Sequence, residues 1–229
     1  MKKLLLNTLL LSFVVLTSNA QRVLDNLDQD GSGALYRNNV LNKQLAQKIE
    51  GSEYLVNEFR FAEISGVSKQ IMIRYDAVTD MIEVQNEKKE VFSLIKNEPY
   101  STITIIESNE KIKLLNYKSD EGYMNGYLVE LFSNKDISLF RRDKITLQKG
   151  KEAVNSYQTA VPARYVRVSD EYYLSIKNKT AIPMPKNKKE LQTLFPTKKE
   201  DIALYFKNNS FSLKNEKSII EMTKFISTF

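Results

Sequence analysis

The residues best spaced for chemistry lie early, in "LDQDGSGALYRNNV". With Asp28 as first ligand, Asp30 falls third, Ser32 fifth, Gly33 sixth and Leu35 eighth, the order in which an EF-hand calcium loop begins. The twelfth position should carry a bidentate carboxylate, and it holds Asn39, whose amide offers one oxygen and no charge. No second loop exists to pair with it. The pattern reads as a solvated, glycine-containing leader, with weak calcium binding by Asp28, Asp30 and Ser32 left open.

Other candidates are sparser. Asp76 with Asp80 and Asp170 with Glu171 are the carboxylate neighbours that could share acid and base work, as in glycoside hydrolysis. Both pairs sit where turns are expected, and aspartate is common in turns because it bonds its own backbone. Ser68 stands beside Lys69, but neighbours on a strand point to opposite faces. Arg141, Arg142, Lys144, Arg164 and Arg167, interleaved with Tyr165, could form a cationic, aromatic-lined face for a polyanion, or a solubilised outer surface whose charges block edge pairing.

Composition removes whole classes of mechanism. The 229 residues include no Cys, no His and no Trp. Disulfides, thiolate nucleophiles, cysteine or histidine metal sites and any imidazole base are therefore excluded. Seven glycines give no phosphate-binding loop. No cofactor is expected. The reading is a non-catalytic binding or envelope-associated protein, with a carboxylate-dependent hydrolase as the alternative and a structural role within a secreted assembly as a third.

The chain opens "MKKLLLNTLLLSFVVLTSNA", two lysines, an apolar run and a Ser-x-Ala end, which reads as a signal peptide cleaved after Ala20. The run from Leu9 to Leu16, broken only by Ser12, is short for a membrane anchor of about 20 residues. Cleavage would leave 209 residues, and loss of Lys2 and Lys3 would reduce the formal charge from +6 to +4. That surplus argues against nucleic acid and fits protein, glycan or lipid partners outside the cytoplasm. No later stretch is apolar enough to cross a bilayer as a helix.

The elements that must hold any site follow from periodicity. From Phe59 to about Ile182 apolar residues alternate, as in "KQIMIRYDAVTDMIEVQ", with turn formers every ten or so positions. Further strands are expected in "EVFSLIK", "STITIIES", "KIKLLNY", "GYLVELFS", "ISLFRRDKITLQ", "RYVRVS" and "YYLSIKN". The class is mainly β with a helical appendage (α+β): an antiparallel meander forming a curled sheet, barrel or sandwich. After Ala181, "KKELQTLF", "TKKEDIALYF" and "EKSIIEMTKFISTF" space apolar residues at helical intervals, with Thr197 and Asn215 as expected N-caps. The terminal Phe229 suits the end of an outer-membrane barrel strand, but "SIIEMTKFISTF" has helical spacing. The organisation is thus a signal peptide (1–20), a leader (21–57), a β domain (58–185) and two or three short helices (186–229).

The run "IEGSEYLVNEF", together with "ARYVRVSDEYYL" and "LFPTKKEDIALYFKNN", resembles a recurring feature of uncharacterised exported proteins of Bacteroidetes bacteria. The resemblance implies export and carries no activity with it.

Overall fold

The computed structural model describes residues 36–37, 49–153, 157 and 159–229. Residues 1–20, expected to form a signal peptide, and Asp28, Asp30, Ser32 and Asn39 lie outside the described residues. Of the leader stretch, Tyr36–Arg37 forms a short edge strand, β1.

The meander is built as alternation demands. Strands β2 (Arg60–Ile64), β3 (Ile71–Asp76), β4 (Met81–Gln85), β5 (Val91–Leu94), β6 (Thr102–Ile105), β7 (Lys111–Ser119), β8 (Gly122–Ser133), β9 (Ile137–Arg142), β12 (Glu171–Ile176) and β13 (Ile182–Pro183) join β1 in one antiparallel sheet. Its order is β1-β5-β4-β3-β2-β6-β7-β8-β9-β12-β13. Strands β10 (Ile145–Gln148) and β11 (Arg164–Arg167) form a separate hairpin. Left-handed residues make the tight reversals at Asp80, Lys89 and Asn109.

Register assigns the faces. Ala62 pairs with Ile71 and Ile105, Ile103 with Ile64 and Ile112, Ile112 with Val129, and Val84 with Phe92. Because directly opposed residues share a face, these side chains fill one concavity, wrapped by β2 to β8. Each large aliphatic chain buried there contributes about 1.5 to 3 kcal/mol. The concavity is narrowed where the turn after β3 reaches across to β8: Asp80 accepts hydrogen bonds from Tyr127 N (3.1 Å) and Lys96 Nζ (2.6 Å).

Beyond β8 the same face is covered by helices. A bulge between Glu130 and Phe132 shifts the register, and Leu139 then pairs with Leu174. Onto these pack α1 (Lys188–Leu194), α2 (Lys199–Asn208) and α3 (Glu216–Ile226), through Leu191, Ile202, Ile219, Met222 and Ile226. Tyr205 stacks on Phe225 at 4.4 Å between ring centres. Asn187 and Asn215 cap α1 and α3 by accepting from Glu190 N and Ser218 N. Thr197 does not cap α2: it lies inside a 3-10 turn, Pro196–Lys198, and the helix begins at Lys199 without a side-chain cap.

On the opposite face the sheet curls the other way. Residue 181, just before β13, bonds the free half of β7: Lys118 N donates to Ala181 O (2.8 Å) and Ala181 N to Asn116 O (3.1 Å). The path β7, β8, β9, β12 and back through Ala181 is closed, and it encloses Tyr117, Leu128, Phe140, Tyr173 and Ala181. Tyr117 and Tyr173 meet edge to face at 4.8 Å.

Candidate functional site

The five cations do not converge. Arg141 and Arg142, adjacent on β9, point to opposite faces. Arg141 clasps Asp143 with two hydrogen bonds (3.0 and 3.1 Å) and reaches Glu216 at the start of α3 (2.7 Å). Arg167 donates to Asp143 (3.4 Å) and to Asp170 (3.0 Å). Arg142 pairs with Glu171 (3.3 Å) and lies over the Tyr117 ring. Lys144 stands 3.7 Å from Glu121, and Arg164 donates to Gln148 (3.1 Å). Four of the five thus have carboxylate partners. They work as ties between β9, the β10–β11 hairpin, β12 and α3. Asp143 is 6% exposed, and burial pushes its carboxyl above the usual range, against the opposing pull of Arg141.

The paired carboxylates are engaged locally. Asp76 accepts from Val78 N (2.9 Å) and Thr79 N (3.0 Å), a turn made by its own side chain. Asp80 takes Lys96, Tyr75 Oη (2.9 Å) and Tyr127 N. Asp170 holds Arg167, and Glu171 holds Arg142 and Tyr173 Oη (2.7 Å). Ser68 and Lys69 are both exposed in the loop between β2 and β3. Among the described residues no group of three or more acidic, His or Cys side chains is placed to hold a metal, and no helix is long and apolar enough to cross a membrane.

Two concavities are better candidates. The first, of about 270 Å³, lies at the end of β3 to β5 away from Asp80; Phe61, Ile71, Met72, Val84 and Phe92 line it, with Lys69 and Glu87 also contributing. Pairing sets Phe61 beside Met72, and Met72 beside Gln85, across three strands. Phe61 is 56% exposed, on the side of β2 opposite the buried Ala62 and Ile64. "RFAEI" signals this in sequence: an aromatic occupies the polar phase of the alternation, where Glu63 follows.

The second, of about 240 Å³, lies on the concave face between the ends of β2 and β3 and the start of β7, bounded by residues 55, 56 and 58. Ile112 and Val129 form apolar surface there, and Arg60, Arg74, Arg141 and Arg167 all reach it. A third hollow, of about 290 Å³, is polar and runs between the β7–β8 turn and Glu171; Arg142 and Lys144 line it with the carboxylates that pair with them.

Comparison with family models, curated proteins and solved structures finds no significant match. The function is accordingly read from the chemistry of these cavities.

Proposed function

We propose that this chain is a non-catalytic, extracytoplasmic binding protein that seats the apolar part of an amphiphilic ligand in the cleft beside Phe61. The observation carrying this reading is a large aromatic side chain left 56% exposed on a strand, beside Met72 in a cleft of about 270 Å³. Small-molecule sites combine such apolar walls with a few polar groups that orient the ligand, and Lys69 and Glu87 are placed to meet a headgroup. The N-terminal pattern of residues 1–20 and the resemblance to exported Bacteroidetes proteins support the compartment. Among protein, glycan and lipid partners, the apolar lining favours a lipid-like one. The engagement of Asp76, Asp80, Asp170 and Glu171 in turns and ion pairs weighs against the hydrolase alternative.

Displacement of anilinonaphthalene sulfonate by fatty acids of increasing length tests the proposal. Each additional buried methylene is worth about 0.8 kcal/mol, so affinity should rise roughly fourfold per carbon until the cleft is filled. Phe61→Asp should abolish the effect. Affinity independent of chain length, or unchanged in Phe61→Asp, overturns the reading.

A further inference from the structure

Four arginines reach the concave-face groove, and three are committed elsewhere. Arg74 donates to Glu83 (2.7 Å) and Asn57 O (2.9 Å), with its guanidinium 3.6 Å from the Tyr54 ring centre. Arg141 and Arg167 share Asp143. Arg60 differs: among the described residues its side chain makes no hydrogen bond, ion pair or ring contact, although it is only partly exposed. Glu110, across the groove, is in the same condition. Its backbone carbonyl accepts from Ile105 N, and its carboxylate has no partner among the described residues.

A partly desolvated charge without a counter-ion is costly. Here Arg60 lines one groove with two carboxylates that do not pair with it, the partly buried Glu110 and the exposed Glu58, and with Ile112 and Val129 as apolar surface. We propose that this groove binds a small zwitterion of the amino-acid class, its carboxylate on Arg60, its ammonium on Glu110 and its side chain against Ile112 and Val129. A lone anion would leave Glu110 unmatched, and a lone cation would leave Arg60 unmatched. The volume, about 240 Å³, lies below the roughly 300 to 1,000 Å³ of drug-sized sites and sets the ligand near a single residue. Arg60 is suited to the carboxylate because its planar fork matches it with two parallel bonds.

Calorimetric titration of the full chain with leucine, leucine methyl ester and isocaproate tests the assignment, because the two analogues each lack one charge. Leucine should bind, and each analogue should bind about tenfold or more weakly, the loss of one charge-assisted contact. Arg60→Gln should weaken leucine but not the ester. Glu110→Gln should weaken leucine but not isocaproate. Urea unfolding of both variants confirms that they are folded, and Phe61→Asp should leave leucine binding unchanged, which separates this site from the amphiphile cleft. No binding of leucine by the folded protein overturns the proposal, as does isocaproate binding as tightly as leucine or an equal loss of both ligands in Glu110→Gln.

Discussion

Removing the Asp80 carboxylate should be among the most damaging single changes outside the apolar interior. The side chain accepts from Lys96 Nζ at 2.6 Å, Tyr75 Oη at 2.9 Å and Tyr127 N at 3.1 Å, and so ties the β3–β4 turn to β8, several strands away in the sheet. In Asp80→Ala the Tyr75 hydroxyl and the Tyr127 N–H lose their acceptor, at about 1 to 3 kcal/mol each. The partly exposed pair with Lys96, with 24% and 19% of the two side chains accessible, adds no more than about 1 kcal/mol. The backbone has φ of 55° at Asp80, and alanine there costs about 1 to 2 kcal/mol that aspartate and asparagine largely avoid. The expected total is about 3 to 9 kcal/mol, a large share of the roughly 5 to 15 kcal/mol that holds an ordinary domain. Asp80→Asn keeps the shape and an acceptor oxygen, loses only the charge toward Lys96, and should cost about 1 kcal/mol. Urea unfolding followed by circular dichroism measures both. An Asp80→Ala variant within about 1 kcal/mol of the parent, or one no worse than Asp80→Asn, refutes the reasoning.

Two further predictions concern stability. Burial, with Glu216 nearby, pushes the Tyr172 phenol from 10.0 to about 12, and burial pushes Tyr75, Tyr127 and Tyr173 higher still. The folded state therefore retains protons that the unfolded state releases, and stability present below pH 10 should be lost as pH rises from about 10 through 12. Tyrosinate absorbance from these residues should appear in step with unfolding; ionisation near pH 10 with the β-sheet spectrum intact would contradict this. Asn215→Ala removes the side-chain acceptor from Ser218 N at the start of α3 and should cost about 1 kcal/mol in the same urea assay, with no change expected in leucine or dye binding.

The strands and helices were legible because period-two and helical spacing are local properties. "KQIMIRYDAVTDMIEVQ" becomes β3, a turn and β4, and Asn215 caps the helix it was expected to cap. Where the reading failed, a distant partner or a neighbouring turn had decided. "ISLFRRDKITLQ" alternates throughout and reads as one strand, yet the chain leaves the large sheet at Asp143, and Ile145 N bonds Ala77 O instead. Thr197 has the spacing of a capping box, but Pro196 starts a 3-10 turn that absorbs it. The choice among curled sheet, barrel and sandwich stayed open because curvature depends on contacts such as Ala181 with β7, about sixty positions apart in the chain. For the same reason the cations that cluster in sequence are divided between faces and carboxylates. Arg60 and Glu110, fifty positions apart, gave no local sign of sharing a groove.

The β7–β8 hairpin stands with Ile112, Tyr127 and Val129 in one interior and with Tyr117 and Leu128 in the other. It is a common wall, and neither compartment can be excised without breaching its neighbour. Its own pairing is nearest-neighbour in sequence, whereas the seam at Ala181 needs a long loop to be drawn in, so the hairpin is the natural seed of assembly and that seam a late event. Severing the chain at the β8–β9 turn would strip the second chamber of most of its staves while leaving the seed intact.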